Sequence, residues 1–249
     1  MSEIITEQPT RLLAEDYYQN PEQFKINRPL HLLARKVLLP SMAVLHGRTN
    51  VLAPETNLAE LEKPVVIAAT HRSWEDIPRT VAATREVGLR PIRFVFKAEL
   101  NKPRALGYLF EKLGGVAVER HEPDTGGLFK VLGGFLDEGD NVAIYPEATR
   151  KREDVRRLGE LKPGASVLAG RRNLPMVPLA IAGMADGEHP TMRGRMPVVA
   201  VFGEPITREV AGSVKEMQAA LEISLQNCLD EAYEQRELYS SDFIQKIGV

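Results

Sequence analysis

The sequence predicts an α/β fold, in which a single domain holds a mixed, largely parallel sheet with helices on its faces. Short β-branched runs alternate with longer stretches of helical periodicity over most of the chain, a pattern typical of strand–helix–strand units. The 249 residues are enough for one large domain with a substantial core. We find no internal repeat, low-complexity tract or linker that would mark a boundary between domains.

The strands follow from apolar runs that are too short to be ordinary helices. They are predicted at Val65–Ala69, Ile92–Phe96, Val116–Glu119, Val142–Tyr145, Met176–Ala182 and Val198–Phe202. Helices are predicted in the gaps, at about 74–88, 103–113, 126–138, 162–172 and 207–238. Left-handed caps are expected near the helix ends, at Gly114, Gly139 and Gly170. Two prolines, at and inside the fifth strand, predict that it is an edge strand or carries a bulge: Pro175 and Pro178.

The N-terminal part contains the most apolar segment before the first predicted strand, over residues 29–45. Leu30, Leu33 and Val37 share a helical face there, so an amphipathic helix is predicted. Charged residues and a proline interrupt the segment, which is too short to span a membrane. The helix either packs on the domain or lies on a lipid surface. We therefore divide the chain into an N-terminal arm at 1–28, a single domain at 29–240 and a C-terminal tail at 241–249.

Composition excludes several classes of protein. The formal net charge of −2 gives no sign of nucleic-acid binding, so any basic site must be local. One cysteine, Cys228, excludes an internal disulfide and a cysteine-based zinc cage, and suits a reducing compartment. The five histidines show no spacing typical of metal ligands, so no metal is expected. Residues 1–28 do not resemble a secretory signal.

A histidine and an aspartate follow the first predicted strand as the pair His71 and Asp76. Residues five apart in one helix lie on nearly opposite sides, so the two can meet only if His71 is in the turn before the helix. An imidazole takes a proton near neutral pH, and a carboxylate on its second nitrogen fixes the tautomer and stabilises the imidazolium. The alternative is a histidine that ends a strand and an aspartate favoured in a first helical turn by the dipole.

Further polar residues follow the other predicted strands. Arg120 leaves one strand, and Glu147, Thr149 and Arg150 leave another, followed by a basic run that extends to Arg157. Guanidinium groups bind phosphate through two parallel hydrogen bonds, and the carboxyl ends of parallel strands meet at one edge of a sheet. These residues therefore predict an anion site beside the histidine, although each one alone also fits a surface ion pair or a turn.

Together and in this order, these stretches resemble the phospholipid and glycerol acyltransferase family. The first family motif, histidine-x4-aspartate, is matched by His71 and Asp76, and the second by Gly115-Val116-Ala117-Val118-Glu119-Arg120. The third is matched by Tyr145-Pro146-Glu147-Ala148-Thr149-Arg150, and the fourth by Met176-Val177-Pro178-Leu179. Lys97 and the stretch Leu161-Lys162-Pro163-Gly164-Ala165 are also similar to the family pattern. The resemblance covers roughly residues 45 to 205.

Three positions depart from the family pattern. Thr70 replaces the asparagine that commonly precedes the histidine, and Glu119 makes the second motif more acidic. Ala148 replaces a glycine, so the turn before Thr149 is not expected to use a positive φ angle easily. None of these changes alters the predicted catalytic pair.

The resemblance implies a glycerolipid acyltransferase-like fold and an O-acyltransferase. It would move a fatty acyl group from acyl-CoA or acyl-carrier protein to a lysophospholipid, foremost 1-acyl-glycerol-3-phosphate, without a cofactor. His71 and Asp76 would be catalytic, and the substrate-binding residues would be Lys97, Arg120, Glu147, Thr149, Arg150 and Pro178. Glu147 would bind acceptor hydroxyls or fix Arg120.

Two other functions stay open at this point: an acyl-thioester or lipid hydrolase, and a non-catalytic lipid- or phosphate-binding protein. The hydrolase would need a nucleophilic serine, and Ser73 is close in sequence, but no G-x-S-x-G motif is present. We expect a cytoplasmic protein that binds reversibly to membrane lipids on the inner face of the cell membrane, through 29–45 and the basic run.

Overall fold

The computed structural model describes residues 19–20, 25–33, 49–97, 108, 110–118, 125–183 and 197–247. The strands are β1 (Thr49–Leu52), β2 (Val66–Ala69), β3 (Ile92–Lys97), β4 (Gly115–Val118), β5 (Asn141–Ile144), β6 (Met176–Ala182) and β7 (Val198–Phe202). The helices are α1 (Arg28–Leu33), α2 (Asp76–Glu86), α3 (Thr125–Asp137), α4 (Gly164–Arg172), α5 (Arg208–Ala211) and α6 (Val214–Ile247), with a short 3₁₀ helix at Leu58–Glu60.

The described strands form one sheet in the order β1-β7-β6-β2-β5-β3-β4. The five strands from β6 to β4 run parallel, whereas β7 is antiparallel to β6 and β1 runs parallel to β7. The predicted fold class, a mixed and largely parallel sheet flanked by helices, is confirmed. β2 lies between β6 and β5, so the chain segments that leave β2 and β5 are neighbours.

The helices cover both faces of the sheet because successive connections run in opposite directions. The connection from β2 leads towards one edge, while the connections that carry α3 and α4 lead back towards the other. Right-handed crossovers therefore place α2 on one face and α3 and α4 on the other. The change of direction occurs between β2 and β5, and the space beyond their carboxyl ends, called the crevice below, is where open α/β sheets bind their ligands.

Alternate residues of the central strands supply the two cores. Val66 and Ala68 pack with residues of α3, α4 and α6, whereas Val65 and Ile67 pack on the opposite face with Ala83 of α2. Every residue of β2 is buried, which is typical of a central parallel strand with helices on both faces. α6 also extends over β6 and β7, where its Leu229 and Tyr233 are buried. This packing holds the carboxyl ends of the strands in fixed positions.

Of the two alternatives predicted for the fifth strand, which is β6, the structure excludes the edge strand and agrees with a bulge. The strand lies inside the sheet between β7 and β2, not at an edge, and each of its residues is buried. Pro178 is tolerated because it lies opposite Gly203, one residue beyond the end of β7, where its carbonyl accepts a hydrogen bond from the Gly203 N–H at 3.0 Å. Beyond Pro178 the two segments pair again at Met176 and Ile206, with one extra residue on the β7 side, so the missing proline N–H falls at a bulge in the pairing.

One predicted cap is wrong. Gly170 lies inside α4 rather than at its end, and a Cβ there would be 2.7 Å from Cγ2 of Val214. The glycine is thus needed for the close approach of α4 and α6. The left-handed cap is Asn173, with φ 50°. Gly114 and Gly139 do have positive φ angles, of 104° and 90°.

The helix predicted at 207–238 is divided into α5 and α6. Gly212, with φ 95°, ends α5, and α6 then runs on to Ile247, into the predicted tail. β1 was not predicted, because its four residues, which begin with Thr49 and Asn50, lack a strong apolar pattern. The remaining strands agree with their predicted bounds to within one residue where the chain is described.

The predicted N-terminal amphipathic helix is described only from Arg28 to Leu33. The side-chain amide oxygen of Asn27 accepts a hydrogen bond from the Leu30 N–H, and the Asn27 N–H donates to the Lys112 carbonyl. Leu33 is 56% exposed. Val37 and the rest of the segment lie outside the described residues, as does most of the helix predicted at 103–113. Within the described part of the chain, no helix combines the length and hydropathy needed to cross a bilayer.

Candidate active site

His71 and Asp76 meet at the carboxyl end of β2. His71 lies in the turn after the strand, and Asp76 is the first residue of α2. Nδ1 of His71 is 2.9 Å from Oδ2 of Asp76. The carboxylate is completely buried and the imidazole is 14% exposed. With Nδ1–H donating to Asp76, Nε2 is the ring nitrogen left to accept a proton from a bound molecule.

The same carboxylate oxygen also shapes the turn. Oδ2 of Asp76 accepts hydrogen bonds from the backbone N–H groups of Arg72, at 2.5 Å, and Ser73, at 2.7 Å. The turn thus wraps around the aspartate, which brings His71 onto it despite the five-residue spacing. The two explanations offered by the sequence are both realised: Asp76 begins a helix, and it holds the imidazole.

Tyr145 forms a wall beside the imidazole. The centres of the two rings are 4.9 Å apart, and the tyrosine hydroxyl is 3.3 Å from the Thr80 hydroxyl on α2. Burial of that hydroxyl and the nearby carboxylate of Asp76 raise the pKa of Tyr145 above its usual range, so the phenol stays neutral. The ring therefore fixes the orientation of the imidazole without adding a charge.

Glu147 binds protein groups with both of its oxygens. Oε2 accepts from the His71 N–H at 2.9 Å and from Nη1 of Arg72 at 2.5 Å, while Oε1 accepts from the Gly159 N–H at 2.8 Å. Its side chain is only 2% exposed. The structure thus places Glu147 beneath the turn after β2, with Arg72 as its partner and both carboxylate oxygens bound to protein groups.

Arg72 is the largest of the fully buried side chains, with 1% exposure. Besides Glu147, its guanidinium donates to the carbonyls of His71, Val155 and Arg157, at 2.9 to 3.2 Å. It therefore connects the turn after β2 with the loop after β5. Sequence reasoning assigned Arg72 no role. The signal in the sequence was an arginine directly after a buried strand, because a buried guanidinium requires a carboxylate nearby.

The loop after β5 also contacts the histidine through its backbone. The Lys151 N–H donates to the His71 carbonyl at 2.8 Å, and the Lys162 N–H donates to the Pro146 carbonyl at 2.8 Å. The basic residues that follow Thr149 are thereby held at the mouth of the crevice. Arg156 is directed elsewhere, since it pairs with Glu237 of α6 and its guanidinium stacks 4.8 Å from the centre of the Tyr233 ring.

Ala148 corrects an expectation drawn from the sequence. It has a φ of 58°, the left-handed conformation that the glycine-to-alanine change was expected to prevent. The Ala148 N–H donates to the Tyr145 carbonyl at 2.9 Å, and the Thr149 N–H to the Glu147 carbonyl at 2.6 Å. Because the buried Glu147 fixes this turn, the strained angle is imposed by its surroundings.

The other predicted site residues lie in different places. Thr149 is exposed and Arg150 half-buried, both beyond the carboxyl end of β5. Lys97 is the last residue of β3, but its side chain is not described, and Arg120 lies outside the described residues. Pro178 is buried in β6, where it contacts Gly203, so it supports the sheet and is not open to a ligand. The structure therefore brings together His71, Asp76, Glu147, Thr149 and Arg150.

Thr70 takes the position where the family pattern has an asparagine, and it forms hydrogen bonds to the neighbouring strand. Its hydroxyl oxygen accepts a hydrogen bond from the Ile181 N–H at 3.1 Å, and its own N–H donates to the Leu179 carbonyl at 3.0 Å. Thr70 therefore connects the start of the turn after β2 to β6. The residue is completely buried, so its role lies in positioning the turn.

Comparison with known proteins identifies the family of this chain. The sequence model of the Acyltransferase family matches residues 44–182. The 1-acyl-sn-glycerol-3-phosphate acyltransferase of Bacillus subtilis (strain 168) is 34% identical over 143 residues, which are 57% of this chain and 66% of that protein. The lyso-ornithine lipid O-acyltransferase of Pseudomonas aeruginosa is 31% identical over 125 residues, 50% of this chain and 45% of that protein. The matched stretch thus spans less than two thirds of the length of either relative.

A solved structure has the same fold. It is the 1-acyl-sn-glycerophosphate (LPA) acyltransferase PlsC from Thermotoga maritima, with a TM-score of 0.58 and 19% identity, over 88% of this chain and 94% of that one. The histidine, the aspartate and the residues after β5 all lie within the stretch matched by the family model. Since that match covers more than half of the sequence, the chain belongs to the Acyltransferase family.

Proposed function

We propose that this protein transfers a fatty acyl group from an acyl thioester, acyl-CoA or acyl-carrier protein, to the hydroxyl of a lysophospholipid. The preferred acceptor is 1-acyl-glycerol-3-phosphate, and the product is phosphatidate. The observation that carries the proposal is the contact between Nδ1 of His71 and the buried carboxylate of Asp76 at 2.9 Å, which leaves Nε2 for the substrate. The names of the relatives support the class of acceptor.

The reaction is a single acyl transfer. Nε2 of His71 takes the proton of the acceptor hydroxyl while that oxygen attacks the thioester carbonyl, giving a tetrahedral oxyanion. The carbon–sulfur bond then breaks, and the leaving thiolate takes the proton back from the imidazolium. Asp76 stabilises the imidazolium in between, and Tyr145 and the Glu147–Arg72 pair keep the ring in place. No acyl-enzyme is needed, because the thioester is already activated.

The acceptor phosphate is proposed to bind to the cations around the crevice. Arg150 lies next to Thr149 beyond β5, Lys97 ends β3, which is adjacent to β5, and Arg120 comes two residues after β4 in the sequence. Guanidinium groups suit phosphate through paired hydrogen bonds. The roles of Arg120 and Lys97 stay predictions from the resemblance.

Two observations weigh against the other functions considered. Ser73 is completely buried, and its hydroxyl oxygen accepts a hydrogen bond from the Glu75 N–H, so it is not presented as a nucleophile for hydrolysis. A protein that only binds lipid needs no base, yet here a buried carboxylate is held against a partly exposed imidazole. Burial of a carboxylate is costly, and the turn supplies three hydrogen bonds to Oδ2 of Asp76, while the buried Oδ1 has no hydrogen-bond partner among the described residues.

Release of free thiol from acyl-CoA, measured with and without a panel of acceptors, tests the proposal. The panel contains 1-acyl-glycerol-3-phosphate, other lysophospholipids, lyso-ornithine lipid and glycerol 3-phosphate. We expect thiol release that requires a lysolipid and is fastest with 1-acyl-glycerol-3-phosphate, with the acylated lipid as product. Release into water without an acceptor would mean a hydrolase, and no release with any acyl-CoA or acyl-carrier protein would mean a binding protein.

A further inference from the structure

A glutamine on α6 holds the loop after β5 by its backbone. Nε2 of Gln226 donates to the Arg156 carbonyl at 2.9 Å, and Oε1 of the same amide accepts from the Leu158 N–H at 3.1 Å. Asp230, one turn further along α6, accepts a second hydrogen bond from Nε2 at 2.8 Å. Since a carboxylate can only accept, Asp230 fixes which end of the amide faces the Arg156 carbonyl. Gln226 therefore sets both the position and the direction of the segment 155–158.

The buried arginine of the turn after β2 binds the other side of this segment. Nε and Nη2 of Arg72 donate to the carbonyls of Val155 and Arg157, at 2.9 and 3.2 Å. The carbonyls of residues 155 and 157 thus face Arg72, whereas the carbonyl between them faces Gln226. The segment has no helical or strand structure of its own, so these side chains decide where its backbone groups point.

The segment leads directly to the carboxylate below the histidine. The Leu158 N–H binds Gln226, and the next N–H along the chain, that of Gly159, donates to Oε1 of Glu147 at 2.8 Å. The other oxygen of Glu147 accepts from the His71 N–H at 2.9 Å. A series of hydrogen bonds joined by short stretches of backbone therefore connects α6 with the backbone of the histidine.

We infer that Gln226 is a positioning residue for acyl transfer, which acts through the segment 155–158 and Arg72 to hold His71 in place. The inference rests on the proposed function, because the position of the imidazole matters only for a reaction in which it takes a proton. A displacement of about 1 Å at a reacting group can lower a rate about 10²-fold, so a support of this kind affects the rate without touching the substrate. Gln226 lies outside residues 44–182, which the family model matches.

Other contacts attach the loop to α6 in a different way. The guanidinium of Arg156 pairs with Glu237 and stacks 4.8 Å from the centre of the Tyr233 ring, and the side chains of Val155 and Leu158 pack against α6. These side-chain contacts keep the loop near the helix, whereas Gln226 orients the peptide groups that lie between Arg72 and α6. Loss of the amide should therefore leave the loop attached but allow its backbone to turn.

A second glutamine of α6 provides the matched control. Gln218, eight residues before Gln226, accepts from the Ser166 hydroxyl at 2.7 Å, and its Nε2 is 3.4 Å from the Leu161 carbonyl. Its Nε2 also donates to Glu222, one turn along the helix. Gln226→Met and Gln218→Met each remove a glutamine that binds another part of the fold and keep an unbranched side chain. The two variants should keep a native circular dichroism spectrum and have similar melting temperatures.

Hydrogen exchange tests the connection to the turn without any turnover. The backbone N–H groups of residues 71–73 all donate to buried carboxylates. We expect Gln226→Met to raise their exchange rates about tenfold and Gln218→Met to leave them unchanged, measured by mass spectrometry of a peptide that contains the turn. Unchanged exchange in Gln226→Met would overturn the inference.

Kinetics then tests whether the connection serves the reaction. Gln226→Met should lower the kcat of lysolipid-dependent thiol release about tenfold and change the acceptor KM less than about twofold, because the base is displaced while the acceptor site remains. Gln218→Met should keep both values near those of the wild type. A raised KM with unchanged kcat, or equal losses of kcat in the two variants, would contradict a positioning role. Absence of thiol release by the wild type would count against the proposed function, and the exchange result does not depend on it.

Discussion

At the scale of single residues, Asp76 does two things with one oxygen. Oδ2 orients the imidazole of His71 and also accepts the N–H groups of Arg72 and Ser73. The shape of the turn and the proposed catalysis therefore depend on the same atom, and replacing it by a hydrogen-bond donor should damage both. This explains how a histidine and an aspartate at a spacing unfavourable within a helix come together in the folded chain.

Asp76→Asn should lower the rate of acyl transfer by about 10³–10⁴-fold. An amide cannot stabilise the imidazolium, and it can favour the wrong tautomer of His71. The rate of lysolipid-dependent thiol release measures the effect, with Asp137→Asn, an exposed aspartate paired with Arg172, as the control. A near-normal rate would mean that Asp76 only begins the helix.

Glu147→Gln should destabilise the fold by about 3–5 kcal/mol, because it leaves the buried guanidinium of Arg72 without a countercharge. Denaturant unfolding followed by circular dichroism measures the loss, and Glu153→Gln, at an exposed position, is the control. We expect the acceptor KM of the folded fraction to change little. A raised acceptor KM with unchanged stability would instead favour the role in acceptor binding implied by the resemblance.

The histidine–aspartate pair was easier to predict from the sequence than the residues that hold it in place. His71 and Asp76 were paired correctly in space, because strand-end position and spacing are local properties. The Glu147–Arg72 contact joins residues 75 positions apart, and it depends on β2 and β5 being neighbours in the sheet. Strand order is not visible in a single sequence, so the partners considered for Glu147 were acceptor hydroxyls and Arg120, and Arg72 was not among them.

At the scale of elements, the turn formed by the third motif, residues 145–150, contains a strained backbone angle. Ala148 holds a φ of 58° between a buried glutamate and an exposed threonine. A left-handed angle costs a residue with a Cβ roughly 1–2 kcal/mol. The sequence identified the position, but it could not show that neighbouring hydrogen bonds impose the angle on alanine.

Ala148→Gly should therefore stabilise the protein by about 0.5–1 kcal/mol, since relief of the strain exceeds the greater freedom of glycine in the unfolded chain. Ala219→Gly, at an exposed position within α6, is the matched control and should destabilise it by about 1 kcal/mol. Both values come from denaturant unfolding. Destabilisation by both substitutions would contradict the strain at Ala148.

The central strands were predictable because each is a continuous apolar run, whereas the exceptions have specific causes. β1 is short and begins with polar residues, so its pairing with β7 decides its conformation. Pro178 is accepted inside the sheet because the pairing with the β7 segment is interrupted there by one extra residue before it resumes at Met176 and Ile206. Gly170 fits the contact between α4 and α6, not a helix cap. In each case a contact distant in sequence overrides a local rule.

At the scale of the whole molecule, the core between α6 and the sheet contains the one cysteine. Cys228 is 5% exposed, and burial raises its pKa from 9.0 to about 11. The unfolded chain therefore loses the thiol proton at a lower pH than the folded chain, so stability should fall as the pH rises from 9 towards 11. Denaturant unfolding of the wild type and of Cys228→Ala across this pH range measures the loss of stability. Parallel curves for the two proteins would contradict the burial of the thiol.

The central claim is that His71, oriented by Asp76, is the base that activates the acceptor hydroxyl. The most direct measurement is the rate of lysolipid-dependent thiol release by His71→Ala, with circular dichroism and thermal unfolding matched to wild type. We expect a native fold and a rate at least 10²–10⁴-fold lower, roughly the contribution of general-base catalysis. A rate within a few-fold of wild type would contradict the account.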